Sequence, residues 1–256
     1  MVANRFEKLH LYWLFVLFIL VSFQFVDAEE TIRVPVIDGG WWTVAGDPDL
    51  GEYTDPKQQP VDFGVWQAAD GTWQLWSCIR HTKCGGHTRL FHRWQSENLT
   101  DTNWKPMGIA MEADPGFGES PGGLQAPHVL YLEGRYYMFY GDWEHICLAK
   151  GMDGKTFARQ LMPDGNSGMF TEGIGNNTRD PMVVQVGYTF YCYYTAMPDK
   201  NGAVYCRVSK DLRNWSESRI VASGGRAGSN AWSAECPHVV YFWDLEEFYL
   251  FCTQQY

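Results

Sequence analysis

Four stretches of the chain share one pattern of apolar and polar positions. Each is a short run of apolar and β-branched residues, a turn containing Gly or Asp, and a second run dense in aromatics. They are VDFGVWQAADGTWQLWS (61–77), QAPHVLYLEGRYYMFYG (125–141), RDPMVVQVGYTFYCYYT (179–195) and ECPHVVYFWDLEEFYLFCT (235–253). β-Branched and aromatic enrichment in short runs predicts strands, and the intervening turn residues predict hairpins. The first three copies superpose without a gap when Trp73, Tyr137 and Tyr191 are matched; the fourth, matched at Tyr249, needs two inserted residues. A third strand with a related closing turn follows each of the first three, in HTRLFHRWQSENLTDTNW, HICLAKGMDGKTF and AVYCRVSKDLRNW.

Helical periodicity is almost absent over 60–256, so the fold class is all-β. A strand unit recurring at roughly 60-residue intervals predicts the blades of a β-propeller, small antiparallel sheets around a central channel. A β-sandwich would explain strands and turns but not the recurring unit. The fourth copy ends inside its second strand, so the expectation is a propeller truncated within its fourth blade.

The first 28 residues predict a signal peptide outside the fold. Arg5 and Lys8 make a positive n-region, LYWLFVLFILVSFQFV (11–26) an apolar h-region, and Val26-Asp27-Ala28 a cleavage site. No later stretch is long and apolar enough to span a membrane, so export follows, to the medium or the periplasm. Residues 29–59, rich in Gly, Pro and Asp, form an extension able to add at most an outer strand or an entrance loop, and 60–256 is the propeller domain. The net charge of −10, without a basic run, argues against nucleic acid and anionic membranes as partners. A neutral partner such as an oligo- or polysaccharide suits that charge. The 12 Trp, 14 Tyr and 15 Phe suit both a β core and sugar stacking. Seven cysteines show no paired CxxC and no metal-site spacing, which argues against zinc, and no cofactor is implied; a structural calcium is not readable. Cys192 and Cys206 lie on successive predicted strands and could pair. CGGH (84–87) reads as a glycine hinge in a hairpin.

The first strand of each blade lines the channel in such folds, so its first residues face the axis. In the gapless superposition Asp62, Ala126 and Asp180 share one position; the fourth copy has Cys236 there, with Glu235 one residue earlier. Three blades thus bring Asp62, Asp180 and Glu235 to one end of the channel. Converging like charges push at least one pKa upward. Carboxylates with separated pKa values are what glycoside hydrolysis needs: one protonated to assist the leaving oxygen, one ionised to attack or to activate water. His128 stands in register with His238, each equally readable as a core residue or a sugar ligand. Trp143, in GDWEHI, offers a ring for stacking.

These motifs carry a resemblance. RDP (179–181) and EC (235–236) are similar to two hallmark motifs of the invertase and fructanase glycosidases, family 32. The three-carboxylate arrangement, APHV and SKDLRNW resemble the arabinanase and xylosidase group, glycoside hydrolase family 43. The resemblance spans roughly 60–256 and implies a five-bladed β-propeller, of which four blades are represented. It implies Glu235 as general acid, Asp180 as modulator or transition-state stabiliser with Arg179 beside it, and Asp62 as base or nucleophile. It also points to furanosides such as arabinose or fructose units.

Two departures bear on this. The first-blade Asp of those families is followed by Pro, whereas here the order is Pro60-Val61-Asp62-Phe63, and Asp47-Pro48 and Asp55-Pro56 fit that spelling better. Register favours Asp62. The second blade has His128 where the family-43 group often has Asp. The missing first-blade motif favours inversion of the anomeric centre over retention. Two other functions compete with a glycosidase: a non-catalytic carbohydrate-binding propeller, and an invertase-like retaining enzyme that transfers sugars.

Overall fold

The structure, a computed structural model, describes residues 36, 38–224, 230–231 and 233–254 of the chain. The predicted signal peptide, 1–28, lies outside the described residues. Two compact units are present, Met1–Trp41 and Trp42–Tyr256. The few described residues of the first have no regular secondary structure. No helix among the described residues is long and apolar enough to cross a membrane.

The second unit is built from antiparallel sheets formed by consecutive stretches of chain. The first runs β1 (Gln59–Gln67), β2 (Trp73–Arg80), β3 (Leu90–Ser96), β4 (Lys105–Met111) in spatial order. The next comprises β5 (Gln125–Leu132), β6 (Arg135–Gly141), β7 (Ile146–Gly151), β8 (Ala158–Arg159) and β9 (Gly168–Phe170), the last two both pairing with β7. The third runs β10 (Arg179–Val186), β11 (Thr189–Ala196), β12 (Ala203–Ser209), β13 (Arg219–Ser223). The fourth pairs β14 (Glu235–Phe242) with β15 (Glu247–Thr253). All four predicted hairpins are present. The fourth strand that completes the first three sheets was not read from the sequence.

Neighbouring sheets pack face to face, with β1 against β5, β5 against β10 and β10 against β14. Between the first two, Trp66, Trp76, Phe91, Leu124, Met138 and Tyr140 make an apolar core. Between the second and third, Phe139, Leu148, Val183, Phe190 and Tyr194 make another. The alternating strand pattern produces this, since successive side chains feed opposite faces of a sheet and both faces must be covered. The other face of the first sheet packs Leu75, Leu90 and Trp94 against Val44, Ala45 and Leu50 of the leading segment. A cavity of about 500 Å³ remains there, walled by Trp42, Phe63, Val65, Trp94 and Trp104. Residues 42–58 thus add an irregular cover and no strand.

One expectation is corrected. Cys192 faces Arg207 across the β11–β12 ladder, and Cys206 faces Tyr193. Partners across a ladder share a face and successive residues alternate, so the two thiols project from opposite faces of the sheet and cannot bond. All seven cysteines are free.

Candidate active site

The inner strand of every sheet carries the same irregularity at the same place. Pairing slips by one residue between Val61 and Phe63, Gln125 and His128, Arg179 and Met182, and Glu235 and His238. Within each slip one residue has a positive φ: Asp62 (40°), Ala126 (46°), Asp180 (57°) and Cys236 (53°). These are the four residues that the superposition aligns. Each is a one-residue bulge, which re-aims a side chain out of the alternating pattern. Pro127, Pro181 and Pro237 follow directly, and a bulge is one of the few places where an inner strand tolerates proline. Phe63 occupies that place in the first sheet.

The bulges turn their side chains toward one another. Asp62, Asp180 and Cys236 each offer a ligand atom, all within 4.8 Å of one another. The Cys236 thiol lies 3.7 Å from Asp180 Oδ2 and 3.9 Å from Asp62 Oδ1. Its backbone N–H donates to Thr195 Oγ1 (3.0 Å) and Asp180 Oδ2 (3.3 Å). Gln125, Arg179 and Glu235 occupy the preceding register position, and all three are buried. Arg179 links the two sets: Nε is 3.3 Å from Asp180 Oδ2, Nη2 donates to Glu235 Oε2, and Nη1 donates to the Asn177 carbonyl (3.2 Å). Four of the predicted residues, Asp62, Arg179, Asp180 and Glu235, therefore meet at the bulged ends of the inner strands.

Burial and the Asp180 charge push the Asp62 carboxyl up to about 6, against the pull of Arg179 and Arg89. Burial works against the charge on Arg179, but Asp180 and Glu235 outweigh it and raise its pKa. Burial, then Asp180 and Asp62, push the Cys236 thiol far up, so it is a neutral hydrogen-bond donor to these carboxylates. A thiol held neutral is a poor metal ligand.

Five buried polar atoms at this end have no partner: Arg89 Nε, Gln125 Oε1, Asn177 Oδ1, Asp180 Oδ1 and Glu235 Oε1. Such atoms cost stability unless a bound water or another polar partner completes them.

His128 and His238 lie further along their strands, in a cavity of about 170 Å³ that Asp62, Asp180 and Cys236 also line. His128 Nε2 is 3.0 Å from the Val183 carbonyl. Burial takes His128 down to about 4, so its ring is neutral. Asp47 and Asp55 are engaged within the leading segment: Asp47 Oδ1 accepts from Gln58 Nε2 (2.9 Å) and Asp55 Oδ1 from Lys57 N (2.9 Å). Trp143 follows β6 at the carboxylate end. His87 stacks on its ring (3.8 Å between centroids, 11° between planes), and the Arg89 guanidinium lies over it at 4.8 Å. His87 and Arg89 were missed in the sequence. Only the glycine pair before them marked that loop, and it reads as a hinge until its contacts are seen.

No protein-family model matches the chain, and no curated protein matches it. Solved structures do. A thermostable family-43 glycoside hydrolase is 18% identical, with a TM-score of 0.58, over 79% of this chain and 67% of that one. The Cellvibrio cellulosa α-L-arabinanase complexed with arabinohexaose is 16% identical, with a TM-score of 0.53, over 73% of this chain and 66% of that one. An exo-1,5-α-L-arabinanase from a bovine ruminal metagenomic library is 14% identical, with a TM-score of 0.58, over 77% of this chain and 70% of that one. The chain thus spans about two thirds of the length of these structures. The sheets and their succession are those of the β-propeller fold of these glycoside hydrolases.

Proposed function

We propose that the protein is an exported glycoside hydrolase whose site is the end of the channel bearing Asp62, Asp180 and Glu235. The observation that carries this reading is the convergence of Asp62 and Asp180 on one cavity, with Arg179 joining Asp180 to Glu235. The fold shared with arabinanases supports it, and furanosides of the arabinose type are the substrate class it favours.

In this reading Asp62 is the base or nucleophile. Asp180, tied to Arg179 and to Cys236, orients the sugar and sets the charge that Asp62 feels. Glu235 is the acid: Arg179 holds Oε2, which leaves the unpartnered Oε1 to meet the glycosidic oxygen. Glu235→Gln tests this. It is expected to lower turnover of glycosides with poor leaving groups by ~10²–10⁴-fold, and to spare those whose leaving group needs no proton. Equal loss on both would remove Glu235 from the acid role. One observation favours exchanged roles for Asp62 and Glu235: the carboxyl raised to about 6 is Asp62's. In that case Asp62→Asn, not Glu235→Gln, would show the leaving-group dependence.

A further inference from the structure

Three cations gather at the end of the second sheet away from its bulge. Arg135 opens β6 and Lys150 stands at the end of β7, whereas Gly141, at the other end of β6, pairs with Gln125 beside the bulge. Lys150 faces Tyr137 across the β6–β7 ladder, so Arg135, two residues before Tyr137, shares that face of the sheet. Leu148 lies on it too and packs into the core against the third sheet. The third sheet adds Arg213, from the turn between β12 and β13. Burial, then the Arg213 and Arg135 charges, hold the Lys150 pKa below the ordinary lysine value. Both charges that act on Lys150 are positive.

Lys155 is matched by Asp70, Arg159 by Glu119 and Arg207 by Glu172, but no ion pair among the described residues includes Arg135, Lys150 or Arg213. Asp211, in the turn of Arg213, spends its carboxylate on the backbone N–H groups of Arg213 and Asn214 and on the Asn214 amide. Like charges held together repel, and this chain has 30 Asp and Glu from which to neutralise them. The cluster also opens on a defined space. Arg135, Lys150, Gly151, Met152 and Gln160 line a cavity of about 290 Å³. Its walls are fixed: the Lys150 ammonium lies over the Tyr137 ring at 5.1 Å, and Gln160 N donates to the Leu148 carbonyl (2.8 Å). A Cβ on Gly151 would lie 2.2 Å from the Thr156 carbonyl oxygen. Arg213 is braced by Nη2 on the Leu161 carbonyl (3.0 Å). Arg135 and Lys150 make no side-chain hydrogen bond among the described residues, so their donors are unspent.

We propose that this cavity is an anion site for the phosphate or sulfate group of a small ligand, held by Arg135 and Lys150 with Arg213 beside them. An arginine fork with a lysine point charge is a pairing that recognises tetrahedral oxyanions. A carboxylate is served by one fork, whereas cations from two strands and a neighbouring sheet suit an anion with oxygens on several sides and more than one charge. The net charge of −10 repels a long polyanion at a distance, which leaves a small one. The volume, near the lower bound of about 300 Å³ for small-molecule sites, fits a free anion or the monoester of a single sugar. Lying at the far end of the sheet from the bulges, the site stands whether or not the protein hydrolyses glycosides.

Calorimetric titration at constant ionic strength, in a chloride background, tests this with inorganic phosphate, sulfate and ribose 5-phosphate as probes. At least one probe is expected to bind saturably, one equivalent per chain. Lys150→Met and Arg135→Gln should each weaken that binding about ten-fold or more, the scale of a hydrogen bond to a charged group. Arg213→Gln should weaken it by a smaller factor, and Lys57→Met, which removes the same charge elsewhere on the surface, should leave it unchanged. Thermal unfolding verifies that each variant folds. Tighter binding of ribose 5-phosphate than of phosphate supports the site and identifies a sugar ester as the source; equal or weaker binding supports it with the free anion as the source. No saturable binding of any probe, binding that survives the double variant Lys150→Met, Arg135→Gln, or an equal loss in Lys57→Met would overturn the site.

Discussion

The inner strands of the second and third sheets have one backbone and two chemistries. Both slip by a residue, both set that residue at positive φ and both follow it with proline. The second sheet places Gln125-Ala126 there and the third places Arg179-Asp180. Ala126 gains nothing chemical from a conformation that L-residues avoid. The strained position therefore belongs to the repeat that builds the channel, and chemistry has been grafted onto some of its copies. A positive φ at Asp180 is not in itself a sign of function. What marks Asp180 is its company: Arg179, Cys236 and Asp62.

The largest effect should come from making the third strand resemble the second. Asp180→Ala is expected to cost about 10²-fold or more in turnover, while the fold survives, because alanine already occupies this backbone at Ala126. Loss of the cooperative unfolding transition in this variant would mean that Asp180 is structural and that the two strands are not equivalent.

A smaller effect concerns pH. Asp62 is raised from 3.8 to about 6, first by burial and then by the Asp180 charge. Between about 4 and 6 the unfolded chain ionises this group while the folded chain holds its proton, so folding stability falls as pH rises through that window. The loss is roughly 3 kcal/mol from this group, complete above its folded pKa. Asp62→Asn should flatten the slope of stability against pH there. In Asp180→Ala the Asp62 carboxyl, followed by carbon NMR, should titrate below about 6 yet stay above an ordinary aspartate, because burial remains. A titration unmoved by Asp180→Ala would deny that the two bulges face each other.

The smallest effect isolates the backbone. Ala126→Gly removes a left-handed penalty of roughly 1–2 kcal/mol and adds the roughly 0.5–1 kcal/mol of extra entropy that glycine loses on folding. A net gain of up to about 1.5 kcal/mol in denaturant unfolding is expected, without change in activity. A marked destabilisation would show that the position is unstrained and that the comparison fails.

The residues that share each blade's bulge were legible because their pattern is local. Strand, turn and aromatic strand lie within about twenty residues of one another, so matching Trp73, Tyr137 and Tyr191 was enough to bring Asp62, Ala126 and Asp180 into one register. The placement of Glu235 one residue before that register, with Cys236 on it, was equally readable, and the bulges reproduce it. What depended on the exact pairing of strands, or on contacts between blades, was not. The ladder offset that sends Cys192 and Cys206 to opposite faces is a property of the pairing, and sequence proximity of two strands does not specify it. The Arg89 loop is held against the segment leading into β5 through backbone atoms, His87 N on the Pro121 carbonyl and Arg89 N on that of Gly122, which leave no side-chain signature beyond the absence of a Cβ on Gly86 and Gly122. Sequence alone determined the repeat and the residues at each strand's entrance, because hydrophobic alternation and turn chemistry act over a few residues. Only the tertiary structure decided which of those residues share a charge, which are left unpaired and which loop reaches the site, because burial and close approach depend on elements distant in the chain.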